Sequence, residues 1–226
     1  IQMDLLDEPV SVLAQVDSTP KRPTIFVHPE YNENVTARDD FALIRLDLNK
    51  APLVYYKRVN RTGLVGISAQ QFQTYLRTHR TAAAKLRRVM SGDLPPIVAF
   101  DDDTYLIDRK LSVISIFDGV RDIKQNPYKA YYVKDLGFAY TKNFGIRKGM
   151  SGSGVMTNTG ELIGVVSADL VWQRYSPAQG KTEEKDFFLF LAFNKSVRAF
   201  MESVMGSDYY KLDFKDAYPQ FIKRGV

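Results

Sequence analysis

Cysteine is missing altogether from the 226 residues, and histidine occurs only twice, as His28 and His79. The first absence excludes disulfide scaffolds, thiolate zinc sites and cysteine nucleophiles. No apolar run approaches the ~18 residues that a membrane-crossing helix needs, so no membrane span is expected. A dense Lys/Arg footprint is lacking too. The net charge of +5 is only mildly basic, which argues against nucleic acid as a partner. With 45% hydrophobic and 25% charged residues, the chain has the composition of a folded protein rather than a disordered one. The opening "IQMDLLDEPVSVLAQV" carries Asp4 and Asp7 where a signal peptide would need an apolar run. It already has strand character and is expected to begin in mid-domain.

Short β-type segments are what the chain has in quantity. They fall at 11–17, 23–29, 41–47, 64–68, 111–118, 130–135, 136–142, 153–157, 161–167 and 187–193. Each is rich in Val, Ile, Phe or Tyr and bounded by Gly, Pro, Asn or Asp, the pattern of strands in a sandwich or barrel. "NTGE" at 158–161 predicts a hairpin turn. Two helices are expected. Residues 68–90 open on a capping box of Ser68 and Gln71 and continue with Phe72, Tyr75, Leu76, His79, Ala83, Leu86 and Met90 at helical spacing. Arg77, Arg80, Arg87 and Arg88 form the opposite face, whose default reading is a solvated one. A second helix starts from Asn194 as N-cap, carries Val197, Phe200, Met201 and Val204, and stops at Gly206.

Chemistry concentrates in "GMSGSGVMTNTGELIGVVS" at 149–167. Ser151 stands between glycines just ahead of a strand, a turn and a second strand. This arrangement resembles the nucleophile region of chymotrypsin-fold serine proteases. The resemblance implies Ser151 as nucleophile, with the backbone N–H groups of Gly149 and Ser151 as oxyanion hole. A second stretch, "VHPEYNENVTARDDFALIRLD" at 27–47, is similar to the family's segment carrying the triad aspartate. Asp40 abuts the apolar run directly and is taken as that residue; Asp39 is the neighbouring candidate. "FNKSVRAFMESV" at 193–204 resembles the closing helix of the glutamyl endopeptidase branch. By the same resemblance, the substrate site comprises Gly145, Ile146, Val166, Ser167, Ala168 and Asp169, along which a substrate backbone adds as a strand. Neither a trypsin-like acid nor a glutamyl-type histidine stands in these segments. No metal or organic cofactor is implied.

The departure from the family is the histidine. Its catalytic histidine precedes the aspartate in a short loop, whereas "VHPEYN" resembles a surface connection and His79 follows the aspartate on a helix. Both histidines are therefore expected to be packed or partly exposed residues and not the catalytic base. The expected fold is mostly β, two six-stranded antiparallel barrels of chymotrypsin type, the first incomplete. Residues 1–60 would hold the remainder of the first barrel and residues 61–206 the second, with 68–90 a helical insertion and 207–226 a tail. The expected activity is serine endopeptidase on a peptide or protein substrate. The base would come from an N-terminal fragment or a companion chain that completes the first barrel. The alternative is a catalytically inactive relative that binds peptides or proteins as a scaffold. The resemblance alone favours a secreted or periplasmic location.

Overall fold

The computed structural model describes all residues except 1, 6–7, 16–24, 33–38, 48–52, 60–62, 92–93, 102, 118–119, 177–179, 218–222 and 225–226. The chain begins with β1 (Gln2–Asp4), β2 (Val10–Gln15), β3 (Ile25–Val27), β4 (Ala42–Ile44), β5 (Leu53–Arg58) and β6 (Leu64–Gly66). Two helices follow, α1 (Ala69–Thr78) and α2 (Arg80–Ser91). Next come β7 (Ile97–Ala99), β8 (Tyr105–Ile107), β9 (Leu111–Phe117), β10 (Val120–Asn126), β11 (Ala130–Val133) and β12 (Phe138–Lys142). The hairpins around the serine loop are β13 (Gly154–Thr157), β14 (Leu162–Ser176) and β15 (Lys181–Ala192). Helix α3 (Lys195–Met205), a 3-10 turn (Gly206–Lys211), β16 (Phe214–Asp216) and β17 (Lys223–Arg224) complete the described chain.

The protein is mostly β, in three sheets. One is four-stranded, in the order β1-β2-β5-β6, and one pairs β3 with β4. The third is eleven-stranded and runs β10-β9-β13-β14-β15-β12-β11-β8-β17, with β7 paired to β14 and β16 paired to β7. Among the described residues no sheet is closed by a ladder. The chain divides into two compact units: residues 1–26, 42–94 and 116–121 form the first, and 27–41, 95–115 and 122–226 the second.

In the first unit, α1 and α2 lie on the four-stranded sheet. Val10 and Val12 of β2 form a buried cluster with Phe72 and Ala82, joined by Leu53, Tyr55, Tyr75, Leu76 and Leu86. The helical segment read as an insertion in the second domain thus packs in the first unit. It is also two helices rather than one. Ser68 and Gln71 make the expected capping box, but His79 leaves helical geometry (φ −116°, ψ 82°) and caps α1. The break resets the phase, so that α2 buries Ala82 and leaves Met90 exposed. Arg77, Arg80, Arg87 and Arg88 are all exposed. Among the described residues no helix is long and apolar enough to cross a membrane.

In the second unit, local chemistry settles the ends of the elements. The Asn194 side chain accepts from Val197 N at 2.9 Å, and its amide donates to Gly137 O at 2.9 Å. Helix α3 is thereby capped and tied to the β11–β12 turn, and Gly206 ends it with φ 58°. Phe200 of α3 meets Phe41 edge-on at 6.2 Å and His28 at 5.0 Å, so His28 and Phe41 are held against this helix by aromatic packing. The turn between β13 and β14 falls at 158–161, where Thr157 N donates to Glu161 O and Gly160 takes φ 88°.

At Gly164 the β14 and β15 backbones approach closely. A Cβ there would lie 2.3 Å from Leu191 O and 2.8 Å from Phe190 Cδ2. A backbone carbonyl cannot rotate away, so Gly164→Ala must push the two strands apart. We expect it to destabilise the protein at or above the upper end of the about 1–3 kcal/mol typical of overpacking. A denaturant titration of the variant checks this; unchanged stability would mean that the strands are further apart than described.

Candidate functional site

The loop 143–153 delivers Ser151 to solvent. Asn143 follows β12 and anchors the loop's start. Its Oδ1 accepts from Gly145 N and Ile146 N, both at 2.9 Å, while its Nδ2 donates to Ile146 O at 3.2 Å and to Asp186 Oδ2 at 3.0 Å. One side chain therefore shapes the turn, an Asx pattern, and ties it to β15. Gly145, Gly149 and Gly152 take φ of 103°, 93° and 81°, values that a side-chain-bearing residue adopts only with strain. The backbone amides divide into two sets. Met150 N donates to Arg147 O, Gly152 N to Val166 O at 2.7 Å, and Ser153 N to Met150 O. Among the described residues, the amides of Gly149 and Ser151 have no protein acceptor. These are the two N–H groups that the resemblance implies as an oxyanion hole.

Residues Val166 to Asp169 lie beside this loop. Val166 is buried, and its N–H and C=O are both engaged, to Ser153 O and from Gly152 N. It holds the loop in place and presents no free backbone group to a ligand. Ser167 is the extra residue of a β-bulge: Val166 pairs with Phe190 and Ala168 with Leu189. A bulge re-aims the side chain it carries. Here it sends the Ser167 hydroxyl to Asp40, donating to Oδ2 at 2.6 Å, while the Ser167 carbonyl accepts from Ser151 Oγ at 3.2 Å. The first distance is typical of an O–H donor on a carboxylate. Ladder pairing to β13 ends at Val165, so from Ala168 onward β14 is paired on its β15 side alone among the described residues. Ala168 is half-buried and Asp169 exposed along that open edge.

Asp40 reaches Ser167 because of the turn behind it. Phe41 N donates to Asp39 O at 2.7 Å, a three-residue turn with Asp40 at its apex, and His28 N donates to Phe41 O at 2.9 Å. Asp39 has φ 61°, a left-handed conformation that aspartate tolerates better than most residues. The adjacent acids face different partners. Asp39 is buried, with Oδ1 3.9 Å from His28 Nε2, whereas Asp40 is half-buried and meets Ser167.

Neither histidine bonds to Ser151 or Asp40 in the described contacts. His28 is buried, accepts from Glu30 N through Nδ1 at 3.3 Å and lies 3.3 Å from Ser196 Oγ through Nε2. His79 is exposed, stacked on Tyr75 at 3.8 Å, with Nδ1 beside Thr78 Oγ1 and Tyr75 O. His28, Glu30 and Asp39 bring potential ligand atoms within 4.8 Å of one another. The geometry disfavours a metal there. A ligating ring donates its second N–H to an acceptor, but Nδ1 of His28 faces an N–H donor, which puts the neutral ring's proton on Nε2.

The structure thus brings Ser151, Gly149, Val166, Ser167 and Asp40 together and places Gly145 and Ile146 at the start of the same loop. Sequence reasoning did not single out Asn143 or Phe188. An Asn two residues before a Gly after a strand is the local signal for the first; Phe188 has none, because its role depends on strand pairing. Comparison with known protein families, curated proteins and solved structures returns no match to this chain.

Removing the Asn143 side chain should free the loop without touching Ser151. Asn143→Ala is expected to cost about 1 kcal/mol, the net worth of hydrogen bonds that are exposed or only part-buried. It should also accelerate amide exchange at Gly145 and Ile146 while exchange at Val155 in β13 stays slow. Uniform acceleration across β13 would show instead that Asn143 supports the sheet as a whole.

Proposed function

We propose that the protein is a serine endopeptidase of the chymotrypsin type. The observation that carries this reading is the chain of contacts Asp40–Ser167–Ser151, which ties the candidate acid to the candidate nucleophile from opposite ends of one bulged residue. The strand order is a second support. With β8 and β9 taken as one strand bent at 108–110, the path β8/β9, β13, β14, β15, β12, β11 counts six strands and returns to its start, as a second barrel would. The first unit, with β1, β2, β5 and β6, is then the remainder of the first barrel.

In this mechanism Ser151 Oγ attacks the scissile carbonyl while a histidine takes its proton. The carbonyl oxygen, now negative, is stabilised by the amides of Gly149 and Ser151. The histidinium protonates the leaving amine, and water, activated by the same histidine, releases the acyl group. Asp40, fixed by Ser167, orients the imidazole and stabilises its charge. Because His28 and His79 are engaged elsewhere, the base is supplied from outside these 226 residues, by a preceding segment or a companion chain. That same engagement favours a second reading, an inactive relative whose open β14 edge binds peptides as a scaffold.

A fluorophosphonate probe applied to the full-length natural protein separates the two readings. Labelling should occur and vanish in Ser151→Ala; equal labelling of the variant would remove Ser151 as nucleophile, and absence of labelling in both would favour the scaffold.

Asp40 and Asp39 are distinguished by substitution. Asp40→Asn should lower turnover by up to about 10⁴-fold through the wrong histidine tautomer, with Asp39→Asn affecting stability more than rate. The reverse pattern in steady-state kinetics would move the triad role to Asp39.

A further inference from the structure

We infer that the space taken by the substrate residue just before the scissile bond is filled from within the protein, so that this site accepts only a small, uncharged residue there: glycine, alanine or serine. The inference rests on the reading of Ser151 and the β14 edge given above and names the substrate class for it.

An acyl group on Ser151 whose oxygen meets the amides of Gly149 and Ser151, and whose chain runs along Ser167 to Asp169, has one direction left for its side chain. It must enter between the loop 144–150 and the strand 167–169. Beside that strand stands Phe188, the cross-strand partner of Asp169, with its side chain on the same face of the sheet as that of Asp169. Its ring is fully buried, meets Phe144 edge-on at 5.6 Å and stacks on Phe190 at 5.6 Å. The alternation of β15 fixes this direction: Phe187 and Leu189 line an outer groove of about 390 Å³ with Leu170 and Tyr140, so Phe188 and Phe190 face the opposite, interior side.

From the loop side, Phe144 covers Phe188, and Ile146 and Met150 are buried. Asn143 holds this layer against β15 through Asp186. A long substrate side chain would have to displace an aromatic ring from a packed interior, which close packing resists. The buried part of the wall is also apolar: Ile146, Phe188 and Phe190, with Phe144 over them, carry no charge. The charged groups near it stand at its rim, Asp169, Arg147 and Lys148 exposed and Lys124 against Gly145. A charged side chain pushed past that rim would enter without compensation. Phe188 is thus the residue that limits size, and Phe144 closes the space from the loop.

The test is binding of peptide products, which needs no turnover. Acetylated tetrapeptide pools with a free carboxylate, randomised at three positions and fixed at the last, are titrated into isotope-labelled full-length protein. The amide signals of Gly149, Ser151 and Ala168 are followed. The alanine-ended pool should bind at least about tenfold tighter than pools ending in Phe, Lys or Glu, the scale on which a pocket rejects misfitting groups. Phe188→Val should admit the Phe-ended pool with little loss for alanine; if that variant does not fold, the wild-type series decides alone. Equal binding of Phe- and Ala-ended pools would overturn the size limit and leave the site standing. Failure of every pool to move the Gly149 and Ser151 signals would overturn the reading of the site itself.

Discussion

A single hydrogen bond, from Ser167 Oγ to Asp40 Oδ2 at 2.6 Å, joins residues 127 positions apart. The other features of the site depend on it. Asp40 is a half-buried carboxylate at the apex of a tight turn, and such a charge needs a donor to be tolerated there. Ser167 can be that donor only because the β14–β15 pairing slips by one residue at its position. The same residue turns its carbonyl toward Ser151. The bulge therefore sets where the acid, the open β14 edge and the serine stand relative to one another. An even ladder would keep Ser167 in the strand's regular alternation, without the slip that re-aims it.

The serine loop follows a complementary logic. Three of its amides are engaged by Arg147 O, Val166 O and Met150 O, which rigidifies the turn and leaves the Gly149 and Ser151 N–H groups available. Donors held by the backbone need no reorganisation when an anion arrives, the property an oxyanion site requires. Glycine at 145, 149 and 152 makes this path possible, and Asn143 gives it a fixed starting point. The interior beneath is aromatic, with Phe188 between Phe144 and Phe190. A rigid, full interior steadies the loop and at the same time limits what can enter beside it.

Adjacent aspartates end in opposite roles for a conformational reason. With Asp39 in the left-handed region, the chain reverses so that consecutive side chains diverge, one inward to His28 and one toward Ser167. His28 is consequently a packing residue: its ring lies edge-on to Phe200, and together with Phe41 it seats the acid-bearing segment on α3.

Much of the local structure was legible in the residues themselves. The Asn194 cap, the Ser68–Gln71 capping box, the Gly206 stop, the 158–161 turn and the glycine-bounded serine each depend on contacts within a few positions, so local chemistry determines them. The mostly β character followed from strand composition in the same way. Only the tertiary structure decided the rest: the break at His79, the docking of both helices on the first sheet, the bulge at Ser167, the meeting of Asp40 with that serine and the pairing of Phe188 with Asp169. These depend on strand register and on which face of a sheet meets which helix. A period-two pattern is the same before and after a two-residue slip, so the sequence alone leaves such choices open until whole strands compete for partners.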